Sequence, residues 1–204
     1  MYYRLLLLCT LLVSGTVLFA QSSNAYKKEI KKFRKAHIKE LVKDDHAPIN
    51  KKSARQLDFF PADPSYNVQA KIELTPDAES FEMATYSGQT RPYVQYGIAT
   101  FELNGQEIQL AIYQSLKLRA MPMYRDYLFL PFKDATNGES TYGGGRYIDL
   151  KLSDIKEGQL DLDLNKTYNP YCAYSDGYSC PIPPVENHLD IAIEAGERGW
   201  FEKK

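Results

Sequence analysis

The residues able to do chemistry gather in the second half of the chain. Glu139, Asp149 and Glu186 are carboxylates set among loop and strand residues. A pair of them would serve glycoside or ester hydrolysis if their carboxyl groups stood about 5 to 9 Å apart, with Glu139 or Glu186 as the candidate acid/base. Arg146 follows Gly143-Gly144-Gly145 at the start of an alternating run. There a guanidinium fork suits a carboxylate or phosphate held bidentately, and equally an internal pair with Glu139 or Glu186. The glycines precede a strand, whereas a phosphate-cradling loop follows a strand and opens a helix. Their use is then positive φ or close backbone approach. Tyr142, Tyr147, Tyr168, Tyr171, Tyr174 and Tyr178 offer apolar faces and hydroxyls, suited to stacking on sugars or ringed ligands and equally to ordinary strand packing.

Asp161-x-Asp163-x-Asn165 has the beginning of a calcium loop, but Lys166 and Cys172 occupy the positions where such a loop needs Gly and Glu. Neither a Gly-x-Ser-x-Gly elbow nor a His-Glu-x-x-His helix occurs in the sequence. No metal or cofactor is implied.

Residues 1–20 have the layout of a secretory signal peptide: Arg4, then an apolar run from Leu5, then small Ala20. The apolar run is shorter than the ~20 residues that span a bilayer. Cleavage near Ala20 leaves an exported chain, periplasmic or extracellular, with two cysteines, Cys172 and Cys180. An even count in an oxidising compartment reads as a disulfide. It closes a loop of nine residues, for which chain entropy gives roughly 2.5 kcal/mol. The rival uses are a thiol pair for metal, one ligand short even with His188, and a nucleophilic cysteine with His188 as base.

The elements that must position these groups follow from period. Tyr26, Ile30, Phe33, His37 and Leu41 recur at helical spacing, so 25–45 is expected to be an amphipathic helix. His37 lies on its apolar stripe, as a packed residue or a ligand. Between Tyr26 and Arg55 stand 11 Lys or Arg against 4 Asp or Glu; from Gln56 onward the balance is 13 against 22. The basic helix therefore either lies on its own acidic domain or meets an anionic membrane surface; an exported chain gives no expectation of nucleic acid. From Leu57 the period becomes two. Strands are expected over 66–74, 81–86, 127–132, 146–152, 159–164 and 189–194, and Asn104-Gly105 joins two more as a type I′ hairpin. That hairpin pairs Leu103 with Gln106, Phe101 with Ile108 and Tyr96 with Tyr113. The expected organisation is a signal peptide over 1–20, a basic helix and linker over 21–55, and one mainly β domain over 56–204. Its expected form is an antiparallel sandwich, roll or open barrel with one N-terminal amphipathic helix.

Several stretches carry a family resemblance: Phe59-Phe60-Pro61-Ala62-Asp63-Pro64, Leu130-Pro131-Phe132-Lys133-Asp134, Thr141 to Tyr147, Asp163 to Tyr174, Cys180 to Asn187, and Ala195-Gly196-Glu197. In combination they resemble the bacterial domain of unknown function 1684 from about Asp58 to Trp200. Leu164 stands where that pattern has Phe, and Tyr171 where it has a second Pro. The resemblance implies no reaction, substrate or cofactor.

From the residues, the expected ligand set is Arg146 as anchor, Tyr142 and Tyr168 as walls, and Asn169, Glu186 and Asn187 as hydrogen-bonding partners. The disulfide loop, the Gly143–Arg146 segment and the Glu186-Asn187 turn are expected to converge on one face. The leading function is a binding module for a small anionic or sugar-like ligand. The alternatives are a hydrolase using a Glu/Asp pair and a structural envelope protein.

Overall fold

The computed structural model describes residues 23–43 and 46–200. The signal peptide expected over 1–20 lies outside the described residues, and the helix expected over 25–45 stops short, giving way to a turn at Val42. Helix α1 spans 23–41. Eight strands follow: β1 Asn67–Leu74, β2 Ser80–Ala84, β3 Thr90–Leu103, β4 Gln106–Ser115, β5 Tyr127–Phe132, β6 Arg146–Lys151, β7 Ile155–Lys156 and β8 Gln159–Asp163; a one-turn helix α2, Leu116–Arg119, follows β4. All pairings between these strands are antiparallel. The order is β6-β5-β4-β3-β1-β8-β7, with β2 on the first half of β3.

The sheet curls into an open barrel. Residues of β6 and of β8, from opposite ends of the order, face one another across a groove roofed by α1. Alternate residues fill the interior: Ala99, Phe101 and Leu103 of β3, Leu128, Leu130 and Phe132 of β5, Ile148 and Leu150 of β6, Leu160 and Leu162 of β8. The outer face of β3 to β6 carries a second, aromatic cluster built on Tyr93, Tyr113, Phe129 and Tyr147. Helix α1 buries Ile30 and Leu41. Leu41 packs with Ile49 and Ala54 of the segment that follows the helix, and Ile38 leans on the same cluster.

The Asn104-Gly105 hairpin forms with both residues at positive φ, 53° and 77°. Its register pairs Leu103 with Gln106 and Phe101 with Ile108, as read from the sequence, and Glu102 with Glu107. The expected facing of Tyr96 and Tyr113 does not occur. A bulge between Gln95 and Gly97 moves Tyr113 opposite Gln95. The bulge lies beside Gly97, where β1 crowds the chain. A Cβ on Gly97 would lie 2.6 Å from the Glu73 carbonyl oxygen.

The strand expected over 189–194 is absent. That segment bends at Asp190 and Ile191 and leads Ile193 and Ala195 into the core. Its backbone groups bond to side chains and to isolated neighbours instead of a ladder: Leu189 N–H to the Lys133 carbonyl at 2.8 Å, and Ile193 N–H to Asp134 Oδ1 at 3.2 Å.

Gly97→Ala is expected to lower unfolding free energy by about 1–3 kcal/mol through overpacking against β1. A reduced urea midpoint with unchanged slope would show it; an unchanged midpoint would mean β1 yields.

Candidate functional site

On β6 the residues alternate between two environments. Ile148 and Leu150 point into the barrel, and Arg146 shares their parity. Arg146 is accordingly fully buried. Its Nη2 donates to Asp134 Oδ2 at 2.7 Å and to the Ile193 carbonyl at 2.8 Å. Its Nη1 donates to the Ala195 carbonyl and, at 3.4 Å each, to Thr167 Oγ1 and the Glu197 carbonyl. Phe132 lies under the guanidinium at 5.4 Å. Burial lowers the Arg146 pKa, and the Asp134 carboxylate opposes that shift. The fork placed in the sequence as a ligand anchor thus serves the interior, and its partner is Asp134 in place of Glu139 or Glu186. Asp134 is itself buried and also accepts from the Thr136 N–H and hydroxyl at 2.9 and 2.5 Å.

Two other expected ligand residues are structural in the same way. Asn187 is fully buried. Its amide accepts from Ala111 N–H at 2.7 Å and donates to the Ala111 and Pro131 carbonyls at 2.8 and 2.7 Å. It bridges β4 and β5 where their ladder is reduced to the single pair Tyr113–Phe129. Asn169 is fully buried, with its N–H on Glu197 Oε2 and its amide on the Arg198 carbonyl. Glu186 is exposed and accepts from the Tyr113 hydroxyl at 2.7 Å. Glu139 is exposed in the turn after Thr136. Neither of these acid/base candidates lines the groove beneath α1. Tyr142 packs on Tyr86 and donates to the Cys172 carbonyl at 3.4 Å. Gly145 lies against Pro183 so closely that a Cβ would meet it at 2.8 Å. Cys172 and Cys180 are joined in a disulfide.

The outward parity of β6 carries the more open chemistry. Phe129 faces Asp149 across β5 and β6, and Tyr127 faces Lys151, so Tyr127 is the diagonal neighbour of Asp149. The Tyr127 hydroxyl donates to Asp149 Oδ1 at 2.7 Å. Tyr168 reaches the same oxygen at 2.5 Å. It is held there because its backbone N–H and carbonyl pair with those of Tyr147 at the free edge of β6. No described residue bonds Oδ2. Burial, and then the Asp149 charge, push both phenols well above their ordinary pKa, so they remain donors at any working pH. His37 of α1 stacks obliquely on Tyr168 at 5.0 Å and stands 3.8 Å from the buried carboxylate of Glu197. Glu197 also accepts from Tyr174 at 2.5 Å.

Asp149, Tyr168, His37 and Glu40 line both of two adjoining cavities, of about 780 and 410 Å³. The first runs between α1 and the facing ends of the sheet, past Asp154, Asp161 and Lys156. The second is walled by Tyr147, Tyr168, Tyr171 and Tyr178 beside the disulfide. Of the expected ligand set, Tyr168 alone is brought here, joined by Asp149 from the candidate carboxylates and by Tyr147, Tyr171 and Tyr178 from the candidate tyrosines. Asp149 was legible as a carboxylate on a polar strand face; Tyr127 and His37 carried no signal for this grouping beyond strand parity and a helical stripe.

Residues 52–198 match the family model described as a protein of unknown function, DUF1684. The solution NMR structure of an uncharacterized protein of Haloarcula marismortui is similar at 30% identity with a TM-score of 0.65, covering 90% of this chain and 99% of that one. A search of the curated proteins finds no match.

Arg146→Met is expected to cost about 3–5 kcal/mol, because it strands the Asp134 carboxylate in the interior; a loss below 1 kcal/mol in urea unfolding would contradict the network. Burial also raises Tyr93, to about 12, and Tyr147 and Tyr174 in the same direction. These folded-state values lie above the unfolded one, so their contribution is full below about pH 10 and is lost as pH rises beyond it. Alkaline absorbance titration should show a group of phenols that ionise only with unfolding. Simple titration of all 16 tyrosines near their ordinary value would refute it.

Proposed function

We propose that this chain, which belongs to the DUF1684 family of proteins of unknown function, binds a small sugar-like ligand in the groove under α1. The observation that carries the proposal is the arrangement at Asp149. Two permanently protonated phenols fix Oδ1, which leaves Oδ2 as a held, charged acceptor between two cavities. An ionised carboxylate accepts only, and a phenol that donates to it keeps lone pairs. The group therefore offers acceptors to a ligand rich in donors, as a run of hydroxyls is. The tyrosine walls supply apolar faces for a ring, and a volume of 410 Å³ falls within the range of small-molecule sites, about 300–1,000 Å³. Around the groove the carboxylates of Glu40, Asp149, Asp154, Asp161 and Asp163 outnumber the lysines Lys39, Lys156 and Lys166, which favours a neutral ligand rich in donors over an anion, and Arg146, the natural anion anchor, faces inward.

Export fits the same picture. The disulfide suits an oxidising compartment, no described helix is long and apolar enough to cross a membrane, and residues 1–20 carry the pattern of a leader. We infer a protein that meets its ligand outside the cytoplasm.

Calorimetric titration with mono- and oligosaccharides tests the proposal. Asp149→Asn removes a charge-assisted acceptor and is expected to weaken binding by roughly tenfold or more. Tyr168→Phe releases Asp149 and should weaken it less. Absence of heat with every saccharide, or binding indifferent to Asp149→Asn, would sink the assignment.

A further inference from the structure

A second groove, on the other flank of α1, has the opposite chemistry. Residues at 27, 31 and 35 form one row along the helix, and those at 30, 34 and 38 form the adjacent row. The first row is Lys27, Lys31 and Lys35, all exposed; the second is Ile30, Arg34 and Ile38. Both rows border a cavity of about 580 Å³ whose far wall is Leu57, Phe59 and Pro61. Four cations and no carboxylate line it.

Arg34 is the telling residue. Its guanidinium lies over the Phe59 ring at 4.8 Å. Its Nε and Nη2 are shut off from solvent and have no hydrogen-bond partner. Burial lowers its pKa, with Tyr26 and Asp163 as the opposing charges, but Asp163 is spent on Tyr26, Asn165 and Lys166. The other cations at the aromatic edges of the fold are placed differently: Arg198 over Phe60 pairs with Asp58, and Lys166 near Phe33 with Asp163 and Glu29. A guanidinium with unpaired buried nitrogens is costly, and an anion in the groove would give it the countercharge that it lacks.

We propose that this groove binds a single-chain anionic amphiphile, a fatty carboxylate or its phosphate-headed equivalent. The head sits on Arg34 and the lysine row, and the chain lies against Ile30, Leu57 and Phe59. Charge complementarity selects the head. The apolar wall selects a ligand with a tail over a bare anion. The cavity lies in the range that encloses a small molecule, about 300–1,000 Å³.

The test is calorimetric titration of the folded chain with dodecanoate kept below its micelle-forming concentration. Acetate serves as a head without a tail and 1-octanol as a tail without a charge. The double variant Lys31→Glu/Lys35→Glu, on exposed positions outside the saccharide groove, is expected to lower dodecanoate affinity roughly tenfold or more. Arg34→Met, which keeps the stem packed on Phe59, should lower it likewise, and thermal melting checks that both variants fold. Saccharide binding is expected to be unchanged in the lysine variant, so failure here is distinguishable from failure at Asp149. The proposal is overturned if dodecanoate does not bind, if acetate or 1-octanol binds as well, or if the lysine variant binds undiminished. It is also overturned if vesicles of anionic phospholipid bind while dodecanoate does not.

Discussion

A guanidinium sealed inside a β-barrel must find its hydrogen bonds there, and the solution found by Arg146 shapes everything around it. Two charges taken from water cost several kcal/mol each, and only close geometry with further hydrogen bonds offsets that. Asp134 supplies the countercharge at 2.7 Å. Nη1 and Nη2 reach the carbonyls of Ile193, Ala195 and Glu197, which are alternate residues of one segment. One side chain thereby does what a neighbouring strand would otherwise do. The segment is drawn across the barrel, Ile193 and Ala195 enter the core, and the Asp134 carboxylate fixes the Thr136–Thr141 turn that leads back into β6.

The same capture delivers Glu197 to a second buried node. There it receives Asn169, from the loop leading to the disulfide, together with Tyr174 and His37. The interior network and the groove under α1 are therefore continuous. β6 divides the labour by parity: Arg146 turns inward to hold the fold together, and Asp149, three residues on, turns outward and stays accessible. A strand that is pinned on its inner face makes a rigid mount for the acceptor on its outer face, which is the condition for recognising hydroxyl geometry.

The sheet was legible because alternation and turn chemistry act locally. Asn104-Gly105 specified the hairpin and its register, and the runs over 127–132 and 146–152 appeared as β5 and β6 with boundaries within a residue. The bulge at Tyr96 was not legible, since it lies beside Gly97, whose close approach to the Glu73 carbonyl is a contact distant in sequence. The 189–194 segment has a strand's pattern without a strand's ladder, because its backbone is shared between two bonds to the 133–135 stretch and the side chains of Asp134 and Arg146, and periodicity reports burial without naming the hydrogen-bond partner. For Arg146 the signal was present in the pattern itself: counting back by two from Ile148 puts it on the apolar face. The adjacent glycines drew attention to an exposed loop instead. Asn187 and Asn169 look like ligand residues for the same reason that they are structural. An amide can pair with backbone on both sides, and that suits it to gaps in a ladder as well as to sugars.

The contacts that seat α1 have a temporal consequence. Tyr26 bonds Asp163 and Asn165, His37 meets Tyr168 and Glu197, and the Tyr178 hydroxyl reaches the His46 carbonyl. These partners are separated by well over a hundred residues. Closing loops of that length is slow relative to forming hairpins, because its entropic cost must be met before any contact rewards it. The helix is thus among the last elements to find its place. Until the residues near Glu197 are in position, the groove between β6 and β8 lacks its roof. An element that looks self-sufficient in its local pattern is seated only after the strands it covers have paired.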